Sequence, residues 1–131
     1  MARPRGFPPP PKWEEEPILP GLVATLPEKL VYQWLTKRGI LFQFQTSLLG
    51  GRLERGGAVT DFLLYDRVPQ LVIRVQGSYW HKDIDRKAND QLQKERLINE
   101  GYAVVDAWEE DIYQRLNGTM SLALIGEEMP H

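Results

Sequence analysis

The chain has no cysteine, which excludes disulfides and any thiolate-held zinc. It has two histidines, His81 and His131, too few to build a metal cage from imidazole alone. A metal here would be held by oxygen ligands, the donor set of magnesium or manganese. No apolar run approaches the ~20 residues that cross a bilayer. The start, Met1-Ala2-Arg3-Pro4-Arg5, runs into prolines rather than into the apolar stretch of a signal peptide. A cytoplasmic protein without membrane contact is therefore expected. An excess of positive charge is also missing. The net charge is −2, so the total does not announce a nucleic-acid binder. It does not exclude one, because a basic track around an acidic metal site cancels in the sum.

What the sequence does contain, within 131 residues, is enough apolar material for one core and one domain. Residues 1–24 stand apart, with Pro4, Pro8, Pro9, Pro10, Pro11, Pro17 and Pro20. Proline fixes φ and removes a backbone donor, so this stretch reads as an extended arm and residues 25–131 as the domain. The arm is either draped over the surface or lays Trp13, Ile18 and Leu19 on a protein partner or on its own domain.

The spacing predicts a helix from Thr25, where Thr25-Leu26-Pro27-Glu28 fits a capping box. Leu26, Leu30, Val31 and Trp34 follow at helical spacing, and Gly39 is a natural terminator. Residues 41–48 alternate apolar and polar and read as a strand. Residues 50–57 form a glycine-rich loop carrying Arg52 and Arg55. Residues 59–65 and 71–75 read as two central strands joined by a turn containing Pro69. A long helix is expected over 83–99, packing through Ile84, Leu92 and Ile98, with Asp83–Lys87 and Asp90–Lys94 as ion pairs on its solvated side. Gly101 ends it. Residues 102–108 form a fourth strand and 109–116 a short helix with acids in its first turn. The apolar piece 120–125 has no assigned state. The result is a mixed α/β fold of order α-β-β-β-α-β-α, a four-stranded mixed sheet flanked by helices.

This order places particular side chains together. Strands joined by a short turn usually pair, and Arg74 and Gln76 share a face of theirs. Asp61, an acid in a strand where acids are disfavoured, is expected to meet Gln76 near the bend at Gly77, which carries His81 into the same neighbourhood. Glu28, besides capping its helix, is a fourth candidate. A divalent cation, a carboxylate to anchor it, and a polar side chain to orient water are the components of phosphodiester hydrolysis.

The runs VTDFLLY and LVIRVQGSYWH, a long helix, then GYAVVDAW and EEDI resemble the very-short-patch-repair endonucleases and their small relatives. These belong to the PD-(D/E)XK, or restriction-endonuclease-like, superfamily. The resemblance spans residue 25 to about residue 115. It implies a restriction-endonuclease-like core and a Mg²⁺- or Mn²⁺-dependent DNA endonuclease, with Glu28 matching a helical glutamate of the relatives. The superfamily pattern has an acid and a lysine where Arg74 and Gln76 stand here. The repair group dispenses with that acid and uses a backbone carbonyl and histidines. By that comparison Asp61, the Val75 carbonyl and His81 build a one-metal site.

The substrate implied is duplex DNA at a mismatch, junction or short specific site, with Arg52, Arg55, Arg74, Lys82 and Arg86 as candidate phosphate contacts. A competing reading keeps the fold without the chemistry. Arg74 then pairs with Asp61, and the chain is a DNA-binding, structural or interaction subunit.

Overall fold

The computed structural model describes residues 24–48, 58–78 and 84–130, with the backbone alone for 46–48, 58–61 and 84–86. The elements run α1 (Leu26–Lys37), β1 (Gln43–Leu48), β2 (Ala58–Leu64), β3 (Leu71–Gln76), α2 (Ile84–Asn99), β4 (Ala103–Trp108), α3 (Glu109–Gln114) and α4 (Leu116–Leu124). This is the expected order with one helix added. The added helix, α4, occupies the segment without an assigned state. Asn117 and Gly118 weaken its helical propensity, and burial of Met120 and Ala123 supplies what propensity does not.

The four strands lie in the order β1-β2-β3-β4. β1 with β2 and β2 with β3 are antiparallel, and β3 with β4 is parallel. The parallel pair needs a crossover, which α2 provides. β3 is buried on both faces from Leu71 to Arg74, as its unbroken apolar sequence requires.

Alternation then divides the sheet. Phe62, Leu64, Leu71, Ile73, Val105 and Ala107 face a large core completed by Leu30, Val31, Trp34 and Leu35 of α1, Ile112 of α3 and Met120 of α4. Leu63, Val72 and Val104 face a smaller cluster completed by Leu97 of α2.

The termini of α1 and α2 follow their sequence signals. Thr25 Oγ1 accepts from the Glu28 amide at 3.4 Å, and Glu28 Oε1 accepts from the Thr25 amide at 2.9 Å, closing the capping box. Gly39 and Gly101 both take positive φ, 69° and 100°, where a side chain would be strained. Each reverses the chain just past a helix.

The face of α2 differs from the expected one. Leu97 is fully buried, whereas Leu92 is 59% and Ile98 49% exposed; the Ile84 side chain lies outside the described residues. The helix packs through Asp90, Lys94 and Leu97, spaced i, i+4, i+7. Asp90 and Lys94 are not a solvated i,i+4 pair. Asp90 Oδ1 lies 3.3 Å from Arg74 Nη2, and Lys94 Nζ lies 3.7 Å from Asp106 Oδ2 and 2.6 Å from Glu128 Oε2. The sheet beneath α2 carries its own charges at Arg74 and Asp106, so the helix presents complementary charge there and leaves part of its apolar stripe to solvent. Of Asp83–Lys87, Asp83 is outside the described residues.

Leu97→Ala should accordingly lower unfolding stability by about 2–5 kcal/mol, the range for deleting a buried leucine. Leu92→Ser should stay within about 0.5 kcal/mol, as exposed substitutions do. Urea titration of both variants ranks them; the opposite order would restore the expected stripe.

Candidate active site

The parallel pairing of β3 and β4 aligns Arg74 with Asp106 and Gln76 with Trp108, so both strands end together. The residues that follow are tied to one another. The Glu109 amide donates to the Gly77 carbonyl at 3.5 Å, and Ser78 Oγ donates to Glu110 Oε1 at 2.6 Å. The first turn of α1 closes over the same rim. Between them lies a cavity of about 160 Å³, lined by Thr25, Pro27, Glu28, Val75, Gln76, Gly77 and Glu109.

Each polar group in that lining has a fixed origin. Glu28 is held by its capping box, and both bonds to Thr25 use Oε1. A carboxylate has two oxygens, so capping does not exhaust it. Gln76 ends β3, and its Nε2 donates to Asp106 Oδ1 at 3.2 Å. That bond reaches the α2 side of the sheet while Gln76 also borders the cavity on the α1 side. At the strand end the two faces meet.

Beneath Gln76 lies a charge network. Arg74 is 6% exposed; its Nη1 donates to the Asp90 carbonyl at 3.0 Å, and its Nε lies 3.4 Å from Asp106 Oδ1. Arg74 was expected as a phosphate contact or as the partner of Asp61. Its guanidinium is buried between two aspartates of α2 and β4, which removes it from the surface a phosphate could reach, and the Asp61 side chain lies outside the described residues. Lys94 continues the chain of charges to Glu128, whose Oε2 also accepts from the Asp106 amide at 3.1 Å.

Three of the sequence-expected site residues, Glu28, Val75 and Gln76, therefore surround one cavity. Asp61 lies in β2, hydrogen-bonded neighbour to the strand of Gln76; its side chain lies outside the described residues, as do Arg52, Arg55, His81, Lys82 and the side chain of Arg86. Two residues went unnoticed in the sequence. Asp106 is an aspartate inside a strand, the same anomaly that drew attention to Asp61. Glu109 looked like a helix-dipole acid, but it follows a strand whose parallel register brings it beside Gly77.

The cavity is lined by two carboxylate residues, Glu28 and Glu109, beside the oxygen-bearing Thr25 and Gln76. This set suits a hard divalent cation. Among the described residues no three acidic or histidine side chains gather into a metal-binding group, so a complete site needs a further ligand from Asp61 or His81.

No family model and no curated protein matches the chain. Among solved structures it is similar to the homing endonuclease I-Bth0305I catalytic domain, with a TM-score of 0.51 and 22% identity over 78% of this chain and 90% of that one. The chain has an endonuclease-like fold. At this identity the likeness speaks for the architecture, and the chemistry must be argued from the residues.

Arg74→Met should destabilise the protein by about 3 kcal/mol, the lower end for breaking a buried pair, because Asp90 is partly solvated and Lys94 still faces Asp106. Chemical denaturation measures this. An unchanged midpoint would mean that the aspartates do not depend on Arg74.

Proposed function

We propose that the chain is a Mg²⁺- or Mn²⁺-dependent endonuclease that hydrolyses phosphodiester bonds in duplex DNA. The observation that carries this reading is the convergence of Glu28, Val75 and Gln76 on one cavity at the joined ends of β3 and β4. The endonuclease-like fold supports it.

In this reading Asp61 anchors the cation. Glu28 and the Val75 carbonyl approach from the α1 side, and Glu109 adds a second carboxylate there. The bound cation would polarise a phosphate oxygen and lower the pKa of a coordinated water. Gln76 has no titrating proton at working pH and acts by orientation, its amide plane set by the bond to Asp106. His81 supplies the imidazole that can take or give a proton near neutrality. Arg52, Arg55, Lys82 and Arg86 supply phosphate contacts. Arg74 neutralises Asp90 and Asp106 and takes no part in DNA contact. No helix among the described residues is long and apolar enough to cross a membrane.

One observation favours a second reading. A buried cation stands at Arg74, where the resembled superfamily carries an acid, which suits a fold kept for DNA binding or for a structural or interaction role after loss of catalysis.

Supercoiled plasmid incubated with the protein and Mg²⁺ or Mn²⁺, with EDTA as control, separates the two. Nicking that EDTA stops is expected, and Asp61→Asn should abolish it. Gln76→Ala should slow it by about 10- to 100-fold, as for groups that orient metal ligands. Glu28→Gln is the more discriminating change, because glutamine preserves the capping box. It should leave the melting temperature unchanged while nicking falls. Undiminished cleavage by Asp61→Asn would move the site elsewhere, and DNA binding without cleavage in either metal would establish the second reading.

A further inference from the structure

The edge of the sheet farthest from the proposed site carries a feature that phosphodiester chemistry does not use. At the end of α1 opposite its Thr25 cap, Tyr32, Thr36, Gly39, Ile40, Leu41, Phe42, Phe44 and Tyr65 line a shallow groove of about 330 Å³. Its walls are aromatic and held in place by one another. Tyr32 meets Phe42 edge-on at 4.9 Å and Phe44 edge-on at 5.8 Å, and both phenylalanines pack on the buried Phe62. Leu41 and Tyr65 stand at the rim, 51% and 40% exposed. Among the described residues, the lining holds no charged side chain.

Such a groove suits a polyproline segment. Proline-rich chains adopt a left-handed extended helix with no internal hydrogen bonds, and their rings dock between aromatic side chains at little entropic cost. The chain carries such a segment itself. Pro8-Pro9-Pro10-Pro11 is an uncharged run preceded by Phe7 and followed by Lys12 and Trp13, in the residues that precede Ala24. We propose that this proline run docks in the Tyr32–Phe42–Phe44–Tyr65 groove of its own domain.

The geometry permits it. At 3.1 Å per residue the stretch from Pro11 to Ala24 reaches about 40 Å when extended. The groove lies one length of α1 away from Ala24, about 18 Å at 1.5 Å per residue. Tethering favours the chain's own segment over a free one, because a short linker holds it at an effective concentration on the order of millimolar. A docked arm would also cover β1, which lies at the edge of the sheet.

The absence of native cysteine makes the test direct. A nitroxide placed at Lys12→Cys in the full-length chain should broaden the amide signals of Thr36, Gly39, Leu41 and Phe44, equally at high and low protein concentration. Leu41→Ser/Tyr65→Ser, both at the exposed rim, should abolish the broadening while the remaining amide spectrum stays in place. P8G/P9G/P10G/P11G should do the same with the groove intact. Three results would overturn the proposal. The groove amides could stay sharp in the labelled parent. The broadening could survive either set of substitutions. Or it could arise only when isotope-labelled chain is mixed with spin-labelled chain, which would make the occupant a second copy.

Discussion

The register of one parallel strand pair governs the rest of this molecule. Because Arg74 lies across from Asp106, a cation and an anion meet on the face of the sheet that α2 must cover. α2 answers with Asp90 and Lys94 rather than with a continuous apolar stripe. The same register ends β3 and β4 at one level, so Gly77 meets Glu109 and the first turn of α1 can close a cavity above them. A one-residue slip would put Arg74 against Val105 or Ala107 and carry the charges into the larger core. Buried ion pairs seldom add net stability over well-packed apolar residues. Their contribution here is that wrong registers leave charge buried without a partner.

Much of the fold was legible because its signals are local. Thr25 and Glu28 encode a cap within four residues of sequence, Gly39 and Gly101 mark reversals, and β2 and β3 declare burial by composition. What was not legible depends on residues that meet only after folding. Asp90 and Lys94 look like any surface i,i+4 pair until Arg74 and Asp106 are placed beneath them. Leu97 is a single buried leucine on a helix whose stripe of Ile84, Ala88 and Leu92 points the other way by sequence. For α4 the reason is different: Asn117 and Gly118 argue against a helix locally, and the case for one comes from the core that receives Met120 and Ala123.

The candidate site divides along the same line. Glu28 and Gln76, which line the cavity, stood out in the sequence because each ends or begins an element. Val75 came with the family resemblance, through its carbonyl. Glu109 was missed because its neighbourhood is set by strand register and not by spacing. Glu28 ties the two kinds of information together. The hydrogen bonds that start α1 also fix the carboxylate at the cavity, so a feature serving fold stability positions a group available for chemistry. A side chain held this way loses little further freedom on meeting a ligand, which is the meaning of preorganisation.

The Glu128 carboxylate, bonded to the Asp106 amide and to Lys94, has a consequence for how the protein behaves in a crowded solution. Among the described strands β4 is the last of its sheet, and its outward amides are a template on which another chain could add a strand. A glutamate seated on one of those amides, two residues before Pro130, interrupts the template with a negative charge. The same contact that anchors the C-terminal segment thus works as a guard against edge-to-edge aggregation at β4.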